Sequence, residues 1–257
     1  MRTLYQFPIS HYCEKTRWHL EHKGLDYRVD NLFPGLHRLK SQRLAGIATL
    51  PILQDGERTI GDSTAIALYL EERYPEHALL PNDAEQRRQV LELEEGFDRL
   101  GVHVRRWLYG QIRQWDSVMH AMLKVYRPLL GLRDLMKPVL INGVQKLYGV
   151  TPERVAKSQA ELLAGLDLIE RLTDGDPARY LVGERLSLAD VAAAALFAPL
   201  FTPAGTPWAD IAGHDAETQA LLEQLHARPA GQWVLQRYAQ DRRRDAQQNN
   251  GKAPVIA

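Results

Sequence analysis

The sequence contains very little sulfur and no excess of either charge. Of its 257 residues only Cys13 is a cysteine, so no disulfide can form within the chain. Lysine and arginine together number 32, and aspartate and glutamate together also number 32. Because the charges balance, no net electrostatic field attracts nucleic acid or an anionic membrane surface. These features exclude a disulfide-stapled fold and disfavour a nucleic-acid-binding protein.

Long apolar runs are lacking as well. No uninterrupted apolar segment approaches the roughly 20 residues that a membrane-spanning helix needs. The first residues do not show the basic-then-apolar pattern of a signal peptide. We therefore expect a cytoplasmic protein that does not contact membranes, with one large domain or two modest ones.

Residues 1–80 alternate short strand patterns with helix patterns, which predicts an α/β domain. Strands are predicted at Thr3–Phe7 and Tyr27–Val29, with a helix over Tyr12–Lys23 between them. Two further strands flank the turn dipeptide Asp55–Gly56 as a hairpin. The next helix is predicted to begin at Asp62–Ser63, whose side chains can cap its first turn.

From residue 84 onward the sequence has long helix patterns and almost no strand signal. We therefore predict an all-helical domain over residues 84–244, joined to the first domain by the linker Leu80–Asp83. Pro128 and Pro138 are expected to interrupt its helices. The polar residues 245–257 carry no functional signal and are predicted to be disordered.

One helix of this second domain has a clear start and no polar face. Ser187 and Asp190 have the spacing of a capping box, in which each side chain bonds the other residue's amide. The residues that follow, 191–197, are all apolar. A helix that is apolar on all sides is a buried one. We predict that it lies at the centre of the second domain.

The turn between the first strand and the first helix carries the clearest chemical signal. Backbone N–H groups and the positive end of a helix dipole favour an anion there, such as a thiolate. Ser10 is a hydroxyl donor at this turn, whereas Cys13 lies in the first helical turn, where a thiol pKa can fall. Cys13 also shares a helical stripe with Thr16 and Leu20, which suits a small buried residue. Both side chains remain candidates.

An α/β domain followed by an all-helical domain resembles the cytosolic glutathione transferase superfamily over nearly the whole chain. Four segments carry the resemblance. Ser10–Cys13 lies where that superfamily places its catalytic residue, and Leu50–Pro51 looks like its cis-proline segment. Asp62–Ser63 resembles its acid–serine pair, and Ser187–Asp190 resembles its capping box. Their order and spacing along the chain match the superfamily.

The resemblance implies a thioredoxin-like first domain, glutathione as co-substrate and a homodimer. It implies that the Ser10 hydroxyl donates a hydrogen bond to the glutathione thiolate. The backbone of Leu50, preceding a cis Pro51, is then expected to pair with the cysteinyl part of glutathione. Asp62 and Ser63 are expected to hold its γ-glutamyl end.

The resemblance further implies a transferase that passes the thiolate to small hydrophobic electrophiles bound between the domains. Aromatic residues near the start of the helical domain are candidates for lining that second site: Trp107, Tyr109, Trp115 and Tyr126. Two other functions stay open. One is a glutathione-dependent thiol transferase or peroxidase that uses Cys13, and the other is a partner-binding scaffold that catalyses little.

The remaining polar side chains have simpler interpretations. His19 and His22 have helical metal-ligand spacing, but no third ligand follows at a convincing spacing, so no metal site is predicted. His11 has no visible triad partner and is expected to be an exposed turn residue. Four arginines are expected to form a solvated helix face: Arg99, Arg105, Arg106 and Arg113.

Overall fold

The computed structural model describes residues 1–33, 35, 37–123, 125, 126, 131–209, 211 and 214–242. Within them, strands and helices alternate up to residue 73, and helices alone follow from residue 84. The predicted fold class, an α/β domain followed by an all-helical one, is therefore confirmed. The tail predicted to be disordered, residues 245–257, lies outside the described residues.

Four short strands form one mixed sheet: β1 (Arg2–Gln6), β2 (Tyr27–Asn31), β3 (Ile52–Asp55) and β4 (Arg58–Gly61). Their order across the sheet is β2-β1-β3-β4, with β1 and β2 parallel and the other pairs antiparallel. The β3–β4 pair is the predicted hairpin, and Gly56 at its turn has a φ of 60°, which glycine adopts without steric cost. A parallel pair needs a crossover connection, and the first helix supplies it.

Three helices belong to this α/β unit: α1 (His11–His22), α2 (His37–Ala45) and α3 (Ser63–Arg73). α1 ends just before Gly24, whose φ of 63° lies in the left-handed region that terminates helices. The core under the sheet is made of buried aliphatic side chains from β1, β3, α1 and α3: Leu4, Leu20, Leu53, Ile66 and Leu70. The predicted strands and helices therefore exist, with ends that differ by a few residues.

The described part of the chain then contains seven helices: α4 (Ala84–Gln111), α5 (Asp116–Leu123), α6 (Arg133–Tyr148), α7 (Pro152–Thr173), α8 (Leu188–Phe201), α9 (Ala216–Ala227) and α10 (Pro229–Gln240). The prediction that Pro138 interrupts a helix is wrong, because α6 continues through it. Pro138 lies in the second turn of α6, where it removes one main-chain donor without ending the helix, and Pro128 lies outside the described residues. The predicted linker, Leu80–Asp83, lies between α3 and α4, and the domain limits stay a prediction. None of the described helices combines the length and apolar character that crossing a membrane requires.

The predicted capping box and central helix are confirmed. All residues of α8 are buried, and the helix packs against α1, α4 and α10. The Asp190 carboxylate accepts hydrogen bonds from the Ser187 amide at 2.9 Å, the Ser187 hydroxyl at 2.6 Å and the Leu181 amide at 2.8 Å. One carboxylate thus satisfies three buried donors at the start of the helix around which the second domain packs.

α1 is also almost wholly buried, although seven of its 12 residues are charged residues or histidines. Lys15 has no exposed surface, and its ammonium forms ion pairs with Glu94 and with Asp98, the latter at 2.7 Å, both on α4. It also donates a hydrogen bond to the Thr64 hydroxyl on α3 at 3.0 Å. A buried charge is tolerated only when it is paired in this way. This cluster joins α1, α3 and α4 at one point.

Two acidic residues of α1 are paired with the last described arginine. Glu14 lies 2.9 Å from Arg242 and 2.7 Å from Arg17, and Glu21 pairs with Arg242 and accepts a hydrogen bond from the Tyr27 hydroxyl at 2.7 Å. Burial alone disfavours a charged carboxylate, but Arg242 and Arg17 together lower the pKa of Glu14 to about 2. The end of the described chain is thereby held against α1.

Replacing Asp190 by alanine should destabilise the protein by about 3 kcal/mol or more, because it leaves three buried donors without an acceptor and each costs about 1–3 kcal/mol. The change in the urea unfolding midpoint measures this loss. Asp83→Ala is the matched control, since Asp83 caps α4 from an exposed position by accepting the Gln86 amide at 2.8 Å. The control should lose only about 1 kcal/mol. Equal losses in the two variants would contradict the buried role of Asp190.

His19 should make the folded state sensitive to acid. Its side chain is buried, neither ring nitrogen has a hydrogen-bond partner in the described part of the chain, and burial followed by the nearby Lys15 charge lowers its pKa well below 6.5. Below pH 6.5 the unfolded chain therefore binds a proton that the folded chain does not, and stability falls by up to about 1.4 kcal/mol per pH unit.

His19→Phe should remove this part of the pH dependence between pH 7.5 and pH 5, as followed by urea unfolding at each pH. The exposed His120 supplies the control, and His120→Phe should leave the wild-type slope unchanged. A wild-type slope in His19→Phe would show that His19 does not titrate in this way.

Candidate functional site

A cavity of about 1170 Å³ lies between the α/β unit and the helices that follow it. One wall comes from the β1–α1 turn, the chain just after β2, α2 and the segment before β3: Phe7, Ile9, Ser10, His11, Phe33, His37, Arg38, Thr49 and Leu50. The other comes from α4, α5, α6 and α8 and the chain after α8: Arg105, Leu108, Tyr109, Ile112, Met122, Leu140, Val144, Tyr148, Pro199 and Trp208. The lining is mainly apolar, as in small-molecule sites.

Ser10 is the residue that begins α1 and faces this cavity. It is the N-cap of the helix, and its hydroxyl oxygen accepts a hydrogen bond from the Cys13 amide at 3.4 Å. Its own amide donates to the Phe7 carbonyl at 3.0 Å, which closes the turn. A hydroxyl that accepts one bond still has its proton to donate. Ser10 therefore offers a donor to the cavity at the positive end of a helix.

Cys13 lies behind this turn. Its side chain has no exposed surface and is not part of the cavity lining. The sulfur accepts a hydrogen bond from the Phe7 amide at 3.5 Å, which ties α1 to the end of β1. Burial raises the pKa of the Cys13 thiol, and the smaller opposing effects of Arg17 and the Ser10 hydrogen bond do not reverse the shift. The thiol is thus neither accessible nor ionised at neutral pH.

The peptide bond between Leu50 and Pro51 is cis, and Leu50 lines the same cavity as Ser10. Pro51 is buried at the start of β3, and its carbonyl accepts a hydrogen bond from the Asp62 amide at 3.3 Å. The structure therefore brings three of the predicted segments together, although only Ser10 and Leu50 reach the cavity wall.

Asp62 and Ser63 lie at the start of α3, outside the cavity lining. Asp62 is exposed, and one carboxylate oxygen accepts the amides of Thr64 at 2.9 Å and Ala65 at 3.0 Å. Its φ of 75° is unusual for a residue other than glycine. Ser63 is buried, and its hydroxyl lies 3.5 Å from the Asp98 carboxylate on α4. The pair is thus linked to the cluster around Lys15.

Of the four aromatic residues predicted to line the cavity, only Tyr109 does so. Tyr109 lines the cavity, whereas Trp107 is buried in the helical core and donates from its indole nitrogen to Gln159 at 3.2 Å. Residues two apart on a helix point to different faces, so both cannot line one cavity. Trp115 stacks on Tyr109 with ring centroids 6.0 Å apart, and Tyr126 donates to the Leu32 carbonyl. Neither of the last two is part of the lining.

The prediction that His11 is exposed is wrong. Its side chain is 3% exposed, because the start of α1 packs against α4, where the Tyr12 hydroxyl donates to the Asp98 carbonyl at 2.7 Å. His11 lines the cavity, and its Nε2 has no hydrogen-bond partner among the described residues. Burial, and then the positive charge of Arg105, lower the pKa of His11 well below 6.5. The imidazole is therefore neutral at pH 7.

The four arginines do not share one solvated face. Arg99 and Arg113 are exposed and pair with Glu95 and Asp215. Arg105 instead lines the cavity, with its guanidinium 4.1 Å from the Tyr148 ring centroid. Arg106 also departs from the prediction, since it is partly buried and donates to the Tyr148 carbonyl at 2.9 Å. The sequence did contain a signal for this position, because Arg105 lies four residues before Tyr109 and therefore on the same helix face as a predicted lining residue.

The first domain, and most of the chain, are similar to proteins of a known family. Residues 4–78 match the family model for the glutathione S-transferase N-terminal domain. Glutathione S-transferase 1 of Dianthus caryophyllus is 26% identical over 228 residues, which cover 88% of this chain and 89% of that protein. Both likenesses support membership in the cytosolic glutathione transferase superfamily, which the sequence motifs indicate. The four-stranded sheet with α1 and α3 is thus the thioredoxin-like domain of that superfamily.

Solved structures of the superfamily share the fold over nearly the whole chain. A glutathione S-transferase from Rhodospirillum rubrum F11 is 25% identical with a TM-score of 0.55, covering 91% of this chain and 92% of that one. One from Methylobacterium radiotolerans, solved in complex with glutathione sulfonate, is 21% identical with a TM-score of 0.56 and covers 90% and 92%. The second likeness shows the fold alone.

The single thiol should react slowly in the native protein. We expect Cys13 to react with an aromatic disulfide reagent at least about 100-fold more slowly in native buffer than in concentrated urea, because it is buried and protonated. The absorbance of the released thiolate measures both rates. In urea one equivalent should react per chain, which provides the internal control. Fast labelling of the native protein would contradict the buried position of Cys13.

Proposed function

We propose that this glutathione S-transferase-like transferase ionises the glutathione thiol at Ser10 and transfers it to an electrophile held in the cavity. One observation carries the proposal: the Ser10 hydroxyl faces the cavity at the first turn of α1, while Cys13 is buried behind that turn. The sequence resemblance to the superfamily implies the same residue, Ser10.

The chemistry requires a thiolate, because a thiol is a weak nucleophile at its unperturbed pKa of about 8.5. The Ser10 hydroxyl accepts a hydrogen bond from the Cys13 amide and can donate a hydrogen bond to the sulfur anion. A hydrogen bond to the charged form lowers a pKa, and the helix dipole of α1 acts in the same direction. The thiol proton leaves to solvent, and the sulfur remains as an anion at neutral pH.

The remainder of glutathione is proposed to extend from Ser10 toward α3. The Leu50 backbone lies at the cavity wall, where it can pair with the cysteinyl part. The start of α3 favours a carboxylate, because the helix dipole is positive there. Asp62 uses one carboxylate oxygen for the Thr64 and Ala65 amides, which leaves the other for the γ-glutamyl ammonium. Ser63 lies beside it.

The acceptor is proposed to occupy the part of the cavity formed by α4, α5 and α6. The volume of about 1170 Å³ exceeds the upper range of about 1000 Å³ for ordinary small-molecule sites, so glutathione and a second molecule fit together. In the reaction the sulfur forms a bond to an electrophilic carbon, and the leaving group departs with the bonding electron pair. Tyr109 is the predicted aromatic residue that faces this space.

The thiol transferase and peroxidase alternative needs Cys13 at the surface of the site. Cys13 is buried and the pKa of its thiol is raised, and both observations count against that function. The homodimer implied by the superfamily stays a prediction.

Ser10→Ala should raise the thiol pKa of bound glutathione and lower kcat/KM at neutral pH by about 10- to 100-fold, since a hydrogen bond to a charged group contributes about 1.5–3 kcal/mol. Thiolate absorbance during a pH titration of the complex gives the pKa. Steady-state rates with an aryl halide give kcat/KM. Cys13→Ala is the matched control at the same turn and should keep the wild-type pKa of bound glutathione.

Two results would reject this assignment. If only Cys13→Ala lost activity, the thiol would be the working group. If neither the wild type nor the variants bound glutathione, the proposed function itself would fail.

A further inference from the structure

Among the described residues, the charged side chains that line the cavity are all of one sign. Arg38 lies at its edge on α2, Arg105 lies on α4, and no aspartate or glutamate of the described residues contributes to the lining. We propose that Arg105 binds a carboxylate on an aromatic second substrate. This inference rests on the proposed function, because it names the class of acceptor for the same site.

Arg105 has no acidic partner among the residues that the structure describes. Arg99 on the same helix pairs with Glu95 at 2.6 Å, and Arg113 pairs with Asp215 at 3.0 Å. For Arg105 no ion pair is found in the described part of the chain, and its buried Nε has no hydrogen-bond partner there. Removing a cation from water without a counter-charge is unfavourable. An incoming carboxylate would supply the missing partner.

The guanidinium is already held in place by two aromatic rings. It lies 4.1 Å from the ring centroid of Tyr148 on α6 and 5.6 Å from that of Tyr12 on α1. Cation–π contacts orient the planar group and leave its N–H edge free for a carboxylate, which it can bind through two parallel hydrogen bonds. Less conformational freedom is then lost when the anion binds.

None of the described groups around Arg105 neutralises its charge. His11 and Tyr12 face it from α1, Arg106 and Tyr109 from α4, and Tyr148 from α6. His11 is neutral because burial and Arg105 lower its pKa, and burial raises the pKa values of Tyr12 and Tyr109, so both phenols are neutral too. The positive charge is therefore the dominant local field, in a largely apolar space where it acts strongly.

The surrounding surface favours an aromatic ring rather than an aliphatic acid. Tyr109 and Tyr148 are nearly parallel with ring centroids 5.3 Å apart, and both line the cavity beside Arg105. Phe7 and Trp208 line it as well. Flat rings prefer such aromatic neighbours. The acceptor class that fits is an aryl carboxylate with its electrophilic carbon on or next to the ring.

An equilibrium binding experiment tests this without requiring turnover. The probes are 3-nitrobenzoate and the uncharged 3-nitrobenzamide, which differ only in the charged group, measured by calorimetry on the full chain saturated with S-methylglutathione. The wild type should bind the benzoate about 10- to 100-fold more tightly. Arg105→Met should abolish that preference, and Arg105→Lys should keep part of it. Arg99→Met, on the exposed face of α4, should behave as the wild type.

Turnover then separates this inference from the proposed function. With 4-chloro-3-nitrobenzoate and its amide as acceptors, Arg105→Met should raise KM for the benzoate alone and leave the thiol pKa of bound glutathione unchanged. If that pKa rises and both acceptors lose activity equally, Arg105 acts on the thiolate and the inference is overturned.

It is also overturned if the wild type does not prefer the benzoate, or if Arg105→Met keeps the preference. Should the protein bind no S-methylglutathione, the proposed function fails, and the same benzoate-to-benzamide comparison on the protein alone still decides whether Arg105 binds a carboxylate.

Discussion

The burial of a charged helix is the constraint on which this structure depends. α1 lies between the sheet and the helical domain, and its Lys15 has no access to water. Glu94 and Asp98 hold that ammonium from α4, and the Thr64 hydroxyl holds it from α3. Removing Lys15 would cost about 3–5 kcal/mol, because the Glu94 carboxylate would be left buried without a cation. The relative positions of α1, α3 and α4 are therefore fixed by chemistry as well as by shape.

This constraint extends to the site, because one face of α4 carries both the acidic partners of Lys15 and the cavity-lining Arg105. Glu94 and Asp98 are one turn apart and contact Lys15, and Arg105 continues the same stripe two turns further on, where it lines the cavity. Gly101 lies between them, and a side chain there would meet the Tyr12 hydroxyl at 2.9 Å. The close approach of α1 and α4 thus places the Ser10 turn opposite Arg105.

Much of the fold could be predicted from local patterns, because turns, caps and strand alternation are encoded over a few residues. The hairpin at Gly56 and the capping box at Asp190 are of this kind. The cavity lining could not be predicted in the same way. Whether Arg105 faces solvent or ligand depends on the rotation of α4 against α1, and that rotation is set by pairing with Lys15, far away in sequence.

The two halves of the proposed reaction draw on different parts of the chain. The hydroxyl and helix dipole at Ser10 belong to the thioredoxin-like domain, where the thiolate is proposed to form. The groups proposed to face an acceptor, Arg105, Tyr109 and Tyr148, belong to α4 and α6. Because α6 packs on α4 and α5 and takes no part in the Lys15 cluster, its side chains can change without unpairing a buried charge. The fold therefore allows acceptor specificity to vary while thiolate formation stays fixed.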